Sequence, residues 1–312
     1  MKPERVAILG AASPIYERYC PNFVGMQYAL FNMEIDYILF DIRPTTAVLK
    51  LEELVAYDPD LIIYGLIDMV KAPELRKKIR RLLPNAKIVM WYGDLRNDAT
   101  RQIRADMSEI DMMFVSNNAQ NEYYERIWRV PQCHFLPLGS KIYDAPFKPE
   151  FNFDTVFIGG MITGRGFMER RNYMAELKTN GIIKQLDGPA SNPKLRAKVM
   201  KEMPSIYRSS KICLDWSHFT DIEGYTSNRF WIITASAGFA MTKRWPGCEE
   251  WYPEGTRVYF DTMEEFLEKR EYYLDPDHWA EREQIRLAGH IEAKNHTYED
   301  RFARMFDKLY SS

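Results

Sequence analysis

Short apolar runs alternate with helical patterns along the whole chain. In the first half, Val6-Ala7-Ile8-Leu9, Tyr37-Ile38-Leu39-Phe40, Leu61-Ile62-Ile63-Tyr64, Lys87 to Tyr92 and Met112-Met113-Phe114-Val115 read as strands, and a last apolar segment runs from His134 to Leu138. Helical patterns occupy 16–33, 49–56, 73–83, 97–106 and 119–128. The strands are apolar at nearly every position rather than at alternate ones. That marks a parallel sheet covered on both faces, with helices supplying the crossovers. Right-handed crossovers make this a Rossmann-like domain. Ligands of such sheets sit beyond the carboxyl ends of the strands, which singles out Gly10 to Ser13, Asp41, Leu66 to Asp68, Gly93-Asp94 and Asn117-Asn118.

Residues 139–153 have no hydrophobic period, two prolines and mixed charge, and read as a linker. A second alternation follows: strands at 155–158, 182–186, 211–215, 239–241 and 258–260, helices near 166–178, 193–203 and 227–236, then three helical stretches at 262–274, 277–293 and 297–310. The expectation is an α/β chain of two tandem Rossmann-like domains, 1–145 and 146–295. A C-terminal segment, 296–312, forms a helix placed to pack back on the first domain.

Composition narrows the function only a little. At 312 residues with 46% apolar content, two cores can be filled. A formal charge of −2 gives no global attraction to nucleic acid or anionic lipid, although the helices at 73–83 (Arg76, Lys77, Lys78, Arg80, Arg81) and 193–203 carry basic runs. Solvated faces are the ordinary explanation of such runs. The 4 cysteines, at 20, 133, 213 and 248, have no metal-site spacing, and Cys133 and Cys213 lie in apolar runs. A reducing, cytoplasmic setting is expected, with no signal segment and no membrane span.

Candidate chemistry concentrates in the second half. Thr226, Ser227 and Asn228 are all helix N-cap types, and a helix opening there aims unpaired N–H groups and a partial positive charge at an anion such as a diphosphate. Arg229 sits in the first turn, where the dipole disfavours a cation unless an anion is bound. Gly159-Gly160-Met161-Ile162-Thr163-Gly164-Arg165-Gly166 follows a strand and precedes a helix. Its glycines allow close backbone approach and Arg165 can reach a phosphate; the competing reading is a flexible connector. The stretch His218 to Tyr225, with Asp221 and Glu223, is either an acid/base set or a polar loop at the rim. Asp94 is either a general base aimed into the space between the domains or a helix N-cap. No GxGxxG, GxxxxGK[ST] or GxSxG pattern is present, and no histidine pair has metal spacing, so no metal is expected. Two domains facing one another would leave a cleft suited to a nucleotide-linked substrate and an acceptor.

Several segments resemble one family. Arg229-Phe230-Trp231-Ile232-Ile233-Thr234-Ala235-Ser236-Ala237-Gly238-Phe239 resembles the Arg-x-Phe-Glu-x-x-Ala-Ser/Cys-Gly-Gly-Phe segment of the CgeB-like (spore-protein) glycosyltransferases of the GT-B fold. Asp154 to Gly160, Tyr207 to Asp215, Phe260 to Phe266, Tyr272 to Asp275 and His296-Thr297-Tyr298-Glu299-Asp300-Arg301 are similar to further segments of that family, over about residues 154–306. In the first half only Trp91-Tyr92-Gly93-Asp94 matches.

The resemblance implies a glycosyltransferase, hexosyl or pentosyl, that moves a sugar from a nucleotide-sugar co-substrate, UDP-linked, without a metal. The donor would lie against Gly159, Gly160, Arg165, Glu223, Thr226, Ser227, Asn228 and Arg229. The acceptor, a glycan, protein or modified DNA, would lie on the side of Ser13, Asp94 and Asn117, with Asp94 catalytic. One position departs from the pattern. Ile232 replaces the glutamate that in the family holds the donor ribose, and Glu223 is the nearest candidate to take over. That departure keeps other readings open: a non-catalytic protein of the same fold, a phage-type DNA-base glycosyltransferase, or a sugar-nucleotide epimerase.

Overall fold

The computed structural model describes residues 2–10, 20–41, 51–65, 73–93, 107–160, 168–186 and 193–311. Two units divide the chain: residues 1–138 with 298–312, and residues 139–297. The first unit opens with β1 (Arg5–Gly10), α1 (Pro21–Asn32), β2 (Asp36–Asp41), α2 (Leu51–Tyr57), β3 (Leu61–Gly65), α3 (Pro73–Leu82), β4 (Lys87–Tyr92), β5 (Met112–Val115), α4 (Asn121–Trp128) and β6 (Cys133–Phe135). Its strands form one parallel sheet in the order β2-β1-β3-β4-β5-β6. The runs are continuously apolar because both faces are covered. Ala7, Leu9, Ile62, Tyr64, Ile88 and Met90 pack with Ile79, Tyr124 and Trp128 on one side. Their neighbours Val6, Ile8, Ile63, Val89 and Trp91 are buried on the other. Carboxylates pin the strand starts: Asp60 Oδ2 accepts the Glu4 and Arg5 N–H groups at 2.9 Å each, and Asp111 Oδ2 accepts Ile88 N–H at 2.6 Å.

The basic run on α3 is not one solvated face. Arg76 is fully buried. Arg80 donates to the Ala86 and Glu109 carbonyls and to Asp111 Oδ2 at 2.7 Å. That leaves Lys77, Lys78 and Arg81 in solvent. A sequence run places charges; only the helix phase says which of them turn inward.

The second unit contains β7 (Thr155–Ile158), α5 (Met168–Thr179), β8 (Lys184–Leu186), α6 (Pro193–Ser209), β9 (Ile212–Asp215), α7 (Asn228–Ala235), β10 (Ala240–Lys243), α8 (Cys248–Trp251), β11 (Val258–Phe260), α9 (Met263–Leu274) and α10 (Trp279–Glu292). Its parallel sheet runs β11-β10-β9-β7-β8. Phe157, Leu214, Met241 and Phe260 fill one face. Val156, Ile158, Cys213, Ile232, Ile233 and Ala240 fill the other. The chain leaves β7 to one side for β8 and returns on the other side as β9, so the switch point of the sheet lies between the ends of β7 and β9.

Two local expectations are corrected. The helix at 193–203 continues through Pro204 to Ser209. Proline removes one internal hydrogen bond, but burial of Ser205, Ile206 and Tyr207 carries the last turns. At the end of α7 the left-handed residue is Ala237 (φ 53°), not the glycine after it. Gly238 is required by contact instead, since a Cβ there would lie 3.0 Å from the Tyr207 carbonyl and 3.1 Å from Cys213 Sγ.

The last helix, α11 (Tyr298–Tyr310), belongs to the first unit and packs on α1. Gly25 permits the close approach: a Cβ there would stand 2.4 Å from the Tyr298 ring. Tyr298 donates to Asn22 Oδ1 at 2.9 Å and meets Trp91 edge-on, with centroids 5.7 Å apart. Arg301, fully buried, donates to the Leu138 carbonyl. The four cysteines are free thiols. Among the described residues no helix is long and apolar enough to cross a membrane.

Candidate functional site

The switch point of the second sheet gathers polar chemistry that its apolar strands lack. β7 ends in Gly159, where an added Cβ would fall 2.7 Å from Arg229 Nη1 and 2.9 Å from the Phe157 ring. Gly160 faces open space at the same test. The two glycines therefore do different things: the first admits an arginine, the second leaves room.

Arg229 lies in the first turn of α7 and points back under the strand ends. Its Nη1 donates to the Ile158 carbonyl at 3.0 Å and its Nη2 to the Trp216 carbonyl at 2.8 Å. The guanidinium lies 4.6 Å over the Phe157 ring. Arg170, in the first turn of α5 and buried, donates to the same Trp216 carbonyl at 3.0 Å and to the Gly160 carbonyl at 2.9 Å. The two arginines tie the end of β7 to the segment after β9.

A third guanidinium stands behind them. Arg257 is sandwiched 3.8 Å from Phe230 and 3.9 Å from Tyr252, and donates to Thr242 Oγ1 and the Phe230 carbonyl. Asp215, at the end of β9 and 1% exposed, lies between two of these cations. It stands 3.6 Å from Arg229 Nε and 3.9 Å from Arg257 Nη1. Burial raises the Asp215 pKa, against the pull of both guanidiniums. Three buried guanidiniums and one carboxylate leave positive charge in excess, and neighbouring groups register it. The Arg170 pKa is pulled down to about 9 by burial and by Arg229. That of His218 is pulled to about 3 by burial, Arg170 and Arg229.

The start of α7 faces this charge uncapped. Ser227 is the N-cap (φ −85°, ψ 163°), yet no side chain caps the first-turn N–H groups. Its hydroxyl turns instead toward Asp215 Oδ1 at 3.5 Å, and its own N–H donates to Ser217 Oγ at 3.1 Å. Phe230 N–H closes on the Ser227 carbonyl at 3.1 Å. First-turn amides left without a side-chain partner, plus the helix dipole, form an anion site.

Of the residues singled out in the sequence, Gly159, Gly160, Ser227, Asn228 and Arg229 come together here. Thr226 is buried, its hydroxyl on the Ser227 carbonyl. Glu223 is exposed in the preceding loop. Ile232 is 2% exposed and packs with Val156, Ile158, Val199 and Ile206. Asn117 is fully buried at the end of β5 in the other unit. Ser13, Asp94 and Arg165 lie outside the described residues. Among the described residues no three His, Cys, Asp or Glu side chains group as a metal site. The sequence reading missed Arg170 and Arg257. Arg170 carried the same signal as Arg229, a cation in the first turn of a helix; Arg257 carried none.

Residues 172–307 match the family model described as glycosyl transferase-like. That span holds Arg229, Arg257, Asp215 and the start of α7. Solved structures show the same fold. The chain is similar to Anabaena Alr3699/HepE in complex with UDP, at 11% identity and TM-score 0.60 over 100% of both chains. It is also similar to an alpha-glucosyltransferase in complex with UDP and a 13-mer DNA containing an HMU base, at 11% identity and TM-score 0.68 over 98% and 99%. A third is sucrose-phosphate synthase from Thermosynechococcus elongatus, at 13% identity and TM-score 0.58 over 99% and 98%. No curated protein matches the chain in sequence. The two parallel Rossmann-like sheets with C-terminal helices are thus the GT-B architecture.

Proposed function

We propose that this protein is a glycosyltransferase that binds a nucleotide-diphosphate sugar, UDP-linked, at the start of α7 and transfers the sugar to an acceptor hydroxyl without a metal. One observation carries the reading: a buried excess of guanidinium charge, held by fixed hydrogen bonds, behind an uncapped helix start at the switch point of the sheet. Buried charges are ordinarily paired, and a diphosphate supplies the missing negative charge. As the sugar departs, charge grows on the leaving diphosphate. Amide donors and guanidiniums that are already oriented stabilise that charge without reorganising. Arg229 and Arg170 are committed to backbone carbonyls, so they act as fixed charges that also shape the Gly159–Gly160 turn. The amides of Asn228 and Arg229 and the Ser227 hydroxyl supply direct contacts.

The burial of Ile232 places the ribose contact on another side chain, and Glu223 is the one this reading assigns to it. Asp94 is assigned as the acceptor-side base, with Ser13 and Asn117 beside the acceptor, and the acceptor is a glycan, a protein or a modified DNA base. The CgeB-like group is the subfamily proposed. Calorimetric titration with UDP, GDP, ADP and CMP tests the core of the proposal, with UDP expected to bind. Failure of all four to bind folded protein would refute it. Ile232 motivates a second reading, a fold retained without catalysis, which predicts nucleotide binding with neither transfer nor slow donor hydrolysis.

A further inference from the structure

The segment that joins β9 to α7 carries a histidine with no part in the contacts described so far. His218 follows Trp216, whose carbonyl takes both Arg170 and Arg229. It also follows Ser217, whose hydroxyl accepts the Ser227 N–H. Bonds at its two preceding residues thus hold it against the uncapped start of α7, where it is half-buried. The charged groups acting on it are cations, Arg170 from α5 and Arg229 from α7. Asp215, on β9, is engaged between Arg229 and Arg257, and Glu223, further along the loop, is exposed. Burial and the two guanidiniums keep its imidazole neutral at pH 7. A dianion docked in front of those guanidiniums reverses the field that suppresses protonation.

We infer that His218 is a proton-linked contact of the donor diphosphate: a neutral imidazole in the free protein that takes one proton from solvent as the diphosphate docks and then donates a charge-assisted hydrogen bond to it. The inference rests on the donor-site reading above and adds its pH control. A group that gains a proton on binding makes affinity fall as pH rises through its pKa in the complex, by up to about tenfold per pH unit. The nucleotide would be held most tightly under mildly acidic conditions and released more easily as pH rises.

The test is calorimetry near pH 6 with UDP-glucose, GDP-mannose and ADP-glucose. Their diphosphates are esterified at both ends and do not themselves ionise near neutrality. In buffers of different ionisation enthalpy, the nucleotide that binds should show uptake of about one proton. His218→Gln should abolish the uptake and flatten the pH dependence of Kd. Independently of any variant, the chain has only 5 histidines, so the imidazole NMR signal of His218 can be followed. It should move to the imidazolium position when the nucleotide is added. Binding without proton uptake, uptake unchanged in His218→Gln, or a signal that stays neutral overturns this inference and leaves the donor site standing. Absence of binding by all three nucleotides overturns the donor site and the inference together.

Discussion

Gly159 and Gly160 are adjacent and chemically identical, yet the structure predicts opposite outcomes for the same substitution. In Gly159→Ala the new methyl would stand 2.7 Å from Arg229 Nη1 and 2.9 Å and 3.0 Å from two atoms of the Phe157 ring. The ring belongs to the β7 core and cannot retreat, so the guanidinium must. Its bond to the Ile158 carbonyl, 3.0 Å in the native chain, is then lost or stretched. A hydrogen bond to a charged group contributes about 1.5–3 kcal/mol, and overpacking a tight site costs about 1–3 kcal/mol. Both arise from one displacement and do not add in full. Stiffening of the unfolded chain returns about 0.4–1 kcal/mol. A net loss of about 2 kcal/mol follows, which for a domain of about 150–250 residues lowers Tm by roughly 4–8 °C. Gly160→Ala meets nothing within 4 Å and should shift Tm by less than about 2 °C. Scanning calorimetry on both variants reads the stability, and titration with UDP reads the site, where Gly159→Ala should bind about tenfold more weakly. Equal Tm shifts for the two variants, or a tolerated Gly159→Ala with native UDP affinity, would refute the placement of Arg229.

Ile232→Glu writes the family's glutamate back into the chain, and the structure predicts damage rather than recovery. A carboxylate among Val156, Ile158, Val199 and Ile206 is buried without a partner, which should cost more than about 3 kcal/mol in urea unfolding; a stable variant with tighter nucleotide binding would contradict that geometry. The acid limb of stability should follow His218. Its folded pKa of about 3 lies below the unfolded value, so the unfolded chain binds more protons as pH falls below about 6.5, and stability is lost through that window. At pH 5 this amounts to at most about 2 kcal/mol, and His218→Gln should flatten the limb. Arg229→Ala removes a fixed cation behind the helix start and should weaken UDP binding by about 1.5–3 kcal/mol. Unchanged calorimetric affinity would remove Arg229 from the site.

Much of the site was legible from particular residues. A cation in a first helical turn, Arg229, signalled an anion because the dipole penalises it there. Gly159 signalled close approach because nothing larger than hydrogen fits. What could not be read was the partner in each case. Gly159 makes room for Arg229 rather than for a ligand, and the N-cap candidate Ser227 turns away from its helix toward Asp215. Both outcomes depend on residues brought near by the sheet order.

The alternation of strand and helix is a local property, because burial on both faces of a parallel strand demands an unbroken apolar run wherever the strand sits. The sequence by itself therefore determined the two Rossmann-like units and the polar strand ends where chemistry could lie. Pairing is not local. Arg170, Asp215, Arg229 and Arg257 come from four separate elements, and only the tertiary structure decided that their charges meet. Helix phase likewise decided that Arg76 is buried while Lys77 is not, and that Ile232 belongs to the core. Periodicity tells which residues share an element, but the electrostatic free energy of a site depends on distances across elements, which the fold alone sets.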